Sequence, residues 1–87
     1  MHAVVIKVTL NDRSAAQAEL SELVPRVSSA PGFVAAYWIN LSQDKGTSIA
    51  VFDSEAAAQG LVAQVESAPA AAVTLDSVEV GEVIAHA

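Results

Sequence analysis

The stretch that decides the fold runs from Phe33 to Phe52 and reads FVAAYWINLSQDKGTSIAVF. Its two ends, Phe33–Leu41 and Thr47–Phe52, are rich in β-branched and aromatic residues and predict two strands. Between them, Ser42–Gly46 has the polar, glycine-ended composition of a hairpin loop. The stretch therefore predicts an antiparallel pair of strands in the middle of the chain.

Upstream of this pair, the chain predicts a strand followed by a helix. His2–Leu10 (HAVVIKVTL) alternates apolar and mixed residues, which is typical of a strand. Apolar residues recur at helical spacing from Ser14 to about Ser28, and Asp12 or Ser14 is placed to cap the helix start. Pro25 lies inside this stretch and should bend the helix or mark its last turn.

Downstream, the same order of helix and strand is predicted again. Asp53-Ser54-Glu55 should begin the second helix, with Asp53 or Ser54 as the cap. Ser67–Ala72 is predicted as a connector, and Val73 to about Ala85 as a long last strand. Gly81 is predicted to mark a bulge or a bend in that strand, because the alternation changes phase there.

The predicted order, β-α-β-β-α-β, spans residues 1–87 as a single α+β domain. Each helix has one apolar stripe, so both helices should lie on one face of an antiparallel sheet. Right-handed crossovers would place the first and third strands side by side in the centre. This is a ferredoxin-like arrangement that leaves the other sheet face uncovered.

Alternation along the strands predicts which residues face the helices and which do not. The set predicted to face the helices is Val4, Ile6, Val8 and Leu10; Phe33, Ala35, Tyr37, Ile39 and Leu41; and Thr47, Ile49 and Val51. The set predicted for the uncovered face is Ala3, Val5, Lys7 and Thr9; Val34, Ala36, Trp38 and Asn40; and Ser48, Ala50 and Phe52. A register shift of one residue would invert these assignments.

The composition predicts that this uncovered face is closed by a second copy of the chain. Hydrophobic residues make up 53% of the chain and charged residues only 16%, which is more apolar surface than so small a domain can bury. We therefore expect a homodimer with a small central cavity.

Charge and cysteine content indicate which other binding partners and which location suit the chain. The net charge of −6 argues against nucleic-acid and membrane-surface binding. The chain has no cysteine, no bilayer-length apolar run and no recognisable secretion leader, which together suit a cytoplasmic protein.

Two short motifs carry a resemblance to a known family. Ala30–Ala36 (APGFVAA) is similar to the junction before the second strand in the antibiotic biosynthesis monooxygenase superfamily of dimeric α/β-barrel proteins. Val51–Ala57 (VFDSEAA) resembles the same superfamily's passage from the third strand into the second helix. The element order also agrees over essentially the whole chain. The resemblance implies a homodimeric barrel with one cavity per subunit, in a superfamily that includes cofactor-free oxygenases of polycyclic phenols and quinols, haem-degrading enzymes and proteins without known activity.

Few of that superfamily's functional residues carry across. The tryptophan usual in the third-strand motif is Phe52 here. An asparagine of the polyketide-oxidising members falls at Ser48, and their tyrosine on the second helix falls at Ala58. The haem-degrading members use a histidine on the second helix, and residues 56–65 contain none. The resemblance therefore argues against haem degradation and identifies no catalytic residue.

Five residues are the candidates for lining the cavity and binding a ligand: Lys7, Trp38, Asn40, Ser48 and Phe52. Trp38 would stack on a flat aromatic ligand or simply fill the dimer core, and Phe52 best fits plain packing. Asn40 and Ser48, with Tyr37, offer hydrogen bonds to a ligand, although Asn40 fits the hairpin equally well.

Lys7 is unusual because it is a cation in a central strand. A buried lysine needs a partner, and Glu79 or Glu82 on the neighbouring last strand is the expected one. The alternative is that Lys7 stabilises a phenolate or enolate anion formed before reaction with oxygen.

His2 and His86 are predicted on neighbouring strands, where they could meet, although histidines near the termini are more often solvated. Two histidines without a third ligand do not make a catalytic metal site. The chain has no phosphate-binding glycine loop and no nucleophile-base pattern. We therefore expect no metal and no cofactor.

Two functions remain open. One is a dimeric barrel that holds a small apolar or aromatic molecule, with cofactor-independent oxygenation as the leading chemistry. The other is a non-enzymatic ligand-binding or assembly protein. An open cavity of several hundred Å³ lined by Trp38, Lys7 and Ser48 would favour a ligand site.

Overall fold

The computed structural model describes residues 1–67 and 72–87 of the chain. Its elements in order are β1 (His2–Leu10), α1 (Arg13–Ser28), β2 (Phe33–Asn40), β3 (Lys45–Phe52), α2 (Glu55–Ser67) and β4 (Val73–Glu82). The predicted β-α-β-β-α-β order is confirmed. Most of the connector predicted between the second helix and the last strand lies outside the described residues.

The sheet has four strands in the order β2-β3-β1-β4, and every neighbouring pair is antiparallel. The first and third strands are therefore central, as the crossover rule predicts. The architecture is a ferredoxin-like α+β fold. β1 has the predicted bounds, whereas β3 starts two residues earlier than predicted, at Lys45, and β4 ends earlier, at Glu82.

Both helix starts use one of the predicted caps. Asp12 Oδ1 accepts a hydrogen bond from the Ala15 amide at 3.0 Å and caps α1. Ser54 Oγ accepts one from the Ala57 amide at 3.2 Å and caps α2. Each side chain thus satisfies an amide that the first helical turn leaves without a backbone partner. Pro25 lies in the last turn of α1, where it leaves the helix intact.

The core lies between the helices and one face of the sheet. Val4, Phe52 and Ala58 are fully buried, and Val27 and Leu61 close the core from the two helices. Half-buried Leu23 of α1 and half-buried Val62 and Val65 of α2 also pack against it. Burial of a large side chain such as Phe52 contributes on the order of 2–3 kcal/mol to the stability of the subunit.

The predicted assignment of faces is correct for β1 and for Phe33, and wrong for β3 and for the rest of β2, where a register shift between Phe33 and Ala35 inverts the alternation. Val4 and Ile6 face the helices and pair with Ala50 and Ser48, which therefore face the helices as well. The residues of the second and third strands that face the helices are Phe33, Ala36, Trp38 and Asn40, and Gly46, Ser48, Ala50 and Phe52.

In β3, the residues that face the helices are the set that allows close packing, rather than the more apolar set. The small side chains of Ala50 and Ala58 let the second helix approach the sheet, and Phe52 fills the space beside them. Counting apolar residues favoured the other face of β3, because Ile49 and Val51 lie there.

The predicted bulge at Gly81 is also wrong. Gly81 pairs regularly with Ala3. The irregularity lies nearer the start of β4, because Lys7 pairs with Ser77 and the next residue, Val8, pairs with Leu75. Asp76 is the extra residue of this bulge, and the phase change in the sequence pattern reflects its position.

A tight joint connects the turn before β2 to the turn after β3. The Asp53 amide donates a hydrogen bond to the Gly32 carbonyl at 2.8 Å. Gly32 has a φ of +81°, which suits glycine, and the rings of Phe33 and Phe52 meet edge to face with centroids 6.2 Å apart. The joint thereby fixes both helices relative to the sheet.

In the described parts of the chain, no helix is long and apolar enough to cross a membrane.

Gly32→Ala should destabilise the fold by about 1–3 kcal/mol, because a non-glycine residue is strained at this positive φ. The added Cβ would also lie 2.5 Å from Asp53 Oδ1 and 2.9 Å from Ala57 Cβ. Urea denaturation followed by circular dichroism measures the free energy of unfolding.

Gly60→Ala is the matched control, because a Cβ there meets no atom within 4 Å and the residue lies inside α2. This variant should gain up to about 1 kcal/mol from the higher helix propensity of alanine. Equal unfolding midpoints for the two variants would contradict the structural role assigned to the joint.

Candidate functional site

The five candidate residues divide between the two faces of the sheet. Lys7 lies on the uncovered face, whereas Trp38, Ser48 and Phe52 lie on the helix side and Asn40 lies at the exposed end of β2. The prediction that they share one face is wrong, since it depended on the inverted assignment for β2 and β3. Their role in binding a ligand stays a prediction, but they do not line a single cavity within one subunit.

Phe52 and Trp38 have plain packing environments. Phe52 is fully buried in the core. Trp38 is half-buried against the same core and pairs across the strands with Ser48. An aromatic side chain packed in this way stabilises the fold without any ligand, which agrees with the structural alternative for both residues.

Lys7 is exposed on the uncovered face, between Thr47 of β3 and Ser77 of β4. Neither predicted partner forms an ion pair with it in the described part of the chain. Glu79 lies on the same face one row away, opposite Val5, whereas Glu82 pairs with His2 and so belongs to the helix-side set. Within a single subunit the ammonium group of Lys7 is therefore left to solvent.

A polar network that the sequence did not reveal lies at one end of the uncovered face. Lys45 Nζ donates to Thr9 Oγ1 at 2.7 Å, and Thr9 Oγ1 donates to Asp76 Oδ2 at 2.8 Å. Lys45 and Asp76 also form an ion pair at 3.5 Å. The bulge in β4 places Asp76 here, and since the bulge was predicted at Gly81, the network could not be foreseen.

Next to this network lies an open recess of about 410 Å³, lined in part by Lys7, Lys45 and Asp76. It combines two ammonium groups with one carboxylate, so its charge suits a small anion better than a cation. Both lysines are exposed, and a contact of either with an anion would be weak in water.

The two motifs that resemble the known family meet in space. Residues of both motifs, including Pro31, Gly32, Asp53 and Ala57, line an open groove of about 450 Å³ between the ends of the helices. The groove floor is apolar, since Val27 and Leu61 contribute to it. The joint between Gly32 and Asp53 gives these motif residues a structural role that needs no ligand.

His2 pairs with the second helix rather than with the other histidine. Its Nε2 lies 3.5 Å from Glu55 Oε2, and its Nδ1 is buried without a hydrogen-bond partner. His86 follows β4 and is exposed. Over residues 1–67 and 72–87, no group of three or more metal-binding side chains comes together.

Over residues 1–67 and 72–87, the geometry therefore offers an apolar sheet surface, a small polar network and a shallow groove, rather than an assembled nucleophile, acid and base. Among the described residues, the side chains with chemistry to offer are separated by the sheet or exposed to solvent. No protein-family model matches the chain, and no curated protein matches it either.

Proposed function

We propose that this chain functions as a homodimer, in which the uncovered faces of two sheets pack together and enclose a small interior. The observation that supports it is the composition of that face: Ala3 and Val5 on β1, Ala35, Tyr37 and Ile39 on β2, and Ile49 and Val51 on β3. None of these side chains belongs to the buried core of the subunit.

The uncovered face carries apolar residues that were predicted to face the helices. Tyr37 is 63% exposed and Ile39 is 41% exposed. Correcting the registers of β2 and β3 moves these residues, with Ile49, from the helix side to the open side. Exposed apolar residues in adjacent rows of one sheet are typical of an interface, whereas isolated ones are not.

Such a dimer suits binding or assembly better than catalysis. Its interior would present Lys7 and Thr47 among apolar side chains, which is enough to orient a small apolar or aromatic molecule. The acidic net charge of −6 argues against nucleic acid and anionic membranes as partners. A cytoplasmic location stays a prediction from the cysteine-free composition.

Cofactor-free oxygenation is the alternative function. It is favoured by one observation, that the two motifs resembling the monooxygenase superfamily line one groove. It is disfavoured by the separation of Lys7 from Trp38, which lie on opposite faces of the sheet.

The dimer should dissociate when a charge is placed on the uncovered face. Ile39→Asp would remove a carboxylate from water at each copy of a two-fold dimer and lose apolar burial worth about 1.5–3 kcal/mol at each copy. We expect the dissociation constant to rise at least about 100-fold. Sedimentation equilibrium between 1 and 100 μM, roughly the range of weak to stable dimers, measures it.

Val24→Asp is the matched control. Val24 is 39% exposed, a fraction similar to that of Ile39, but it lies on α1 and not on the uncovered face. Its dissociation constant should stay near the wild-type value. A wild-type chain that sediments as a single subunit throughout this range would overturn the proposal.

Oxygen uptake with a panel of quinols and anthrones separates the two functions. For a binding or assembly protein we expect the trace of the protein to match the blank. Uptake above the blank would instead support the oxygenase. Loss of that uptake in Lys7→Ala would place the chemistry between the sheets, and loss in Trp38→Ala would place it between sheet and helices.

A further inference from the structure

One row of residues crosses the whole uncovered face and carries different chemistry at its two ends. Tyr37 pairs with Ile49, Ile49 with Val5, and Val5 with Glu79. Tyr37 thus lies on one edge strand, β2, and Glu79 lies on the other edge strand, β4. Within the described ranges, neither side chain makes a hydrogen bond or an ion pair with another residue.

The adjacent rows show the same difference between the edges. One row runs from Ile39 on β2 to Ser77 on β4, and the other from Ala35 to Gly81. The side chains on the β2 edge are larger and apolar, and those on the β4 edge are small or acidic. The β2 edge of one subunit is therefore complementary to the β4 edge of a second subunit. Neither edge is complementary to a second copy of itself.

Two-fold symmetry allows two simple ways to stack the sheets. An axis across the strands would place β4 over its own copy and bring the two Glu79 carboxylates to the same edge. An axis parallel to the strands, between β1 and β3, would place β2 of one subunit over β4 of its partner. The first arrangement juxtaposes like charges, which costs free energy in a desolvated interface.

We propose that the axis of the homodimer runs parallel to the strands, so that the Tyr37 hydroxyl of each subunit donates a hydrogen bond to Glu79 of the other. This inference rests on the proposed homodimer and adds its geometry. The contact forms twice, once at each edge, because the interface is isologous. The parallel axis also places Ile39 of one subunit over Ser77 of the other, and Ala35 over Gly81 in the same way. Larger side chains therefore meet smaller residues.

The reciprocal contact closes both edges of the interface. Tyr37 covers the apolar interior from water, and a hydrogen bond to an ionised carboxylate is among the stronger neutral-to-charged contacts. The contact would also set the partner's identity, since only a chain with a tyrosine on one edge and a carboxylate on the other fits in both places.

Thiol cross-linking tests this geometry, because the chain contains no cysteine. Within one subunit, positions 37 and 79 lie three strand spacings apart, about 14 Å, whereas facing positions of two stacked sheets lie about 10 Å apart, and both distances are too long for a direct disulfide. In Tyr37→Cys/Glu79→Cys, a bifunctional thiol reagent that spans about 10 Å should therefore yield covalent dimers in which peptide mass spectrometry finds residue 37 linked to residue 79. The single variants Tyr37→Cys and Glu79→Cys should yield none, because like positions lie on opposite edges.

Both substituted positions are exposed, so folding is checked by the circular dichroism and sedimentation of each reduced variant. Cross-linking of Tyr37→Cys alone, or no cross-link in a double variant that still sediments as a dimer, would overturn the parallel axis while leaving the homodimer intact. A wild-type chain that sediments as a monomer would overturn the homodimer itself. As a second measurement, Tyr37→Phe should weaken the dimer about 10-fold or more, since two hydrogen bonds are lost.

Discussion

Two helices can cover only one face of a four-stranded sheet, and everything else in this molecule follows from which face they cover. Phe52 decides it, since it is fully buried beneath the helices with Val4 beside it. Because side chains alternate along each strand, burial of Phe52 turns Ile49 and Val51 outward together. The apolar residues on the uncovered face alternate with the buried residues of the same strands. Their exposure therefore follows from the burial of their neighbours.

The order of elements was predictable from the sequence because each element is indicated by a pattern of neighbouring residues. Apolar periodicity, the Asp12 and Ser54 caps and the hairpin composition are properties of a few neighbouring residues. The faces of β2 and β3 were not predictable in this way. Both alternate sets in these strands are apolar enough to be buried. For β3 the choice depends on how closely α2 packs on Ala50 through Ala58, which is a long-range contact, and for β2 it depends on the register shift between Phe33 and Ala35.

The candidate site failed to assemble for the same reason. Lys7, Trp38 and Ser48 were grouped on the assumption that a single face carries them, and one inverted strand is enough to separate them by the thickness of the sheet. The network of Lys45, Thr9 and Asp76 was missed because a bulge moves Asp76 into reach. Bulges leave only a phase change in the sequence, and Gly81 offered a more conspicuous but incorrect place for it.

The two motifs that suggested a family have a physical reason to be linked in any protein of this shape. Gly32 must accept a positive φ and the close approach of Asp53, while Phe33 must meet Phe52 to seal the core at that corner. These requirements come from connecting two helices to neighbouring strands, and they are independent of any substrate. The motifs therefore argue for the fold more strongly than for an activity. The residues that would distinguish one function from another have to be sought on the uncovered face, because the fold does not require particular residues there.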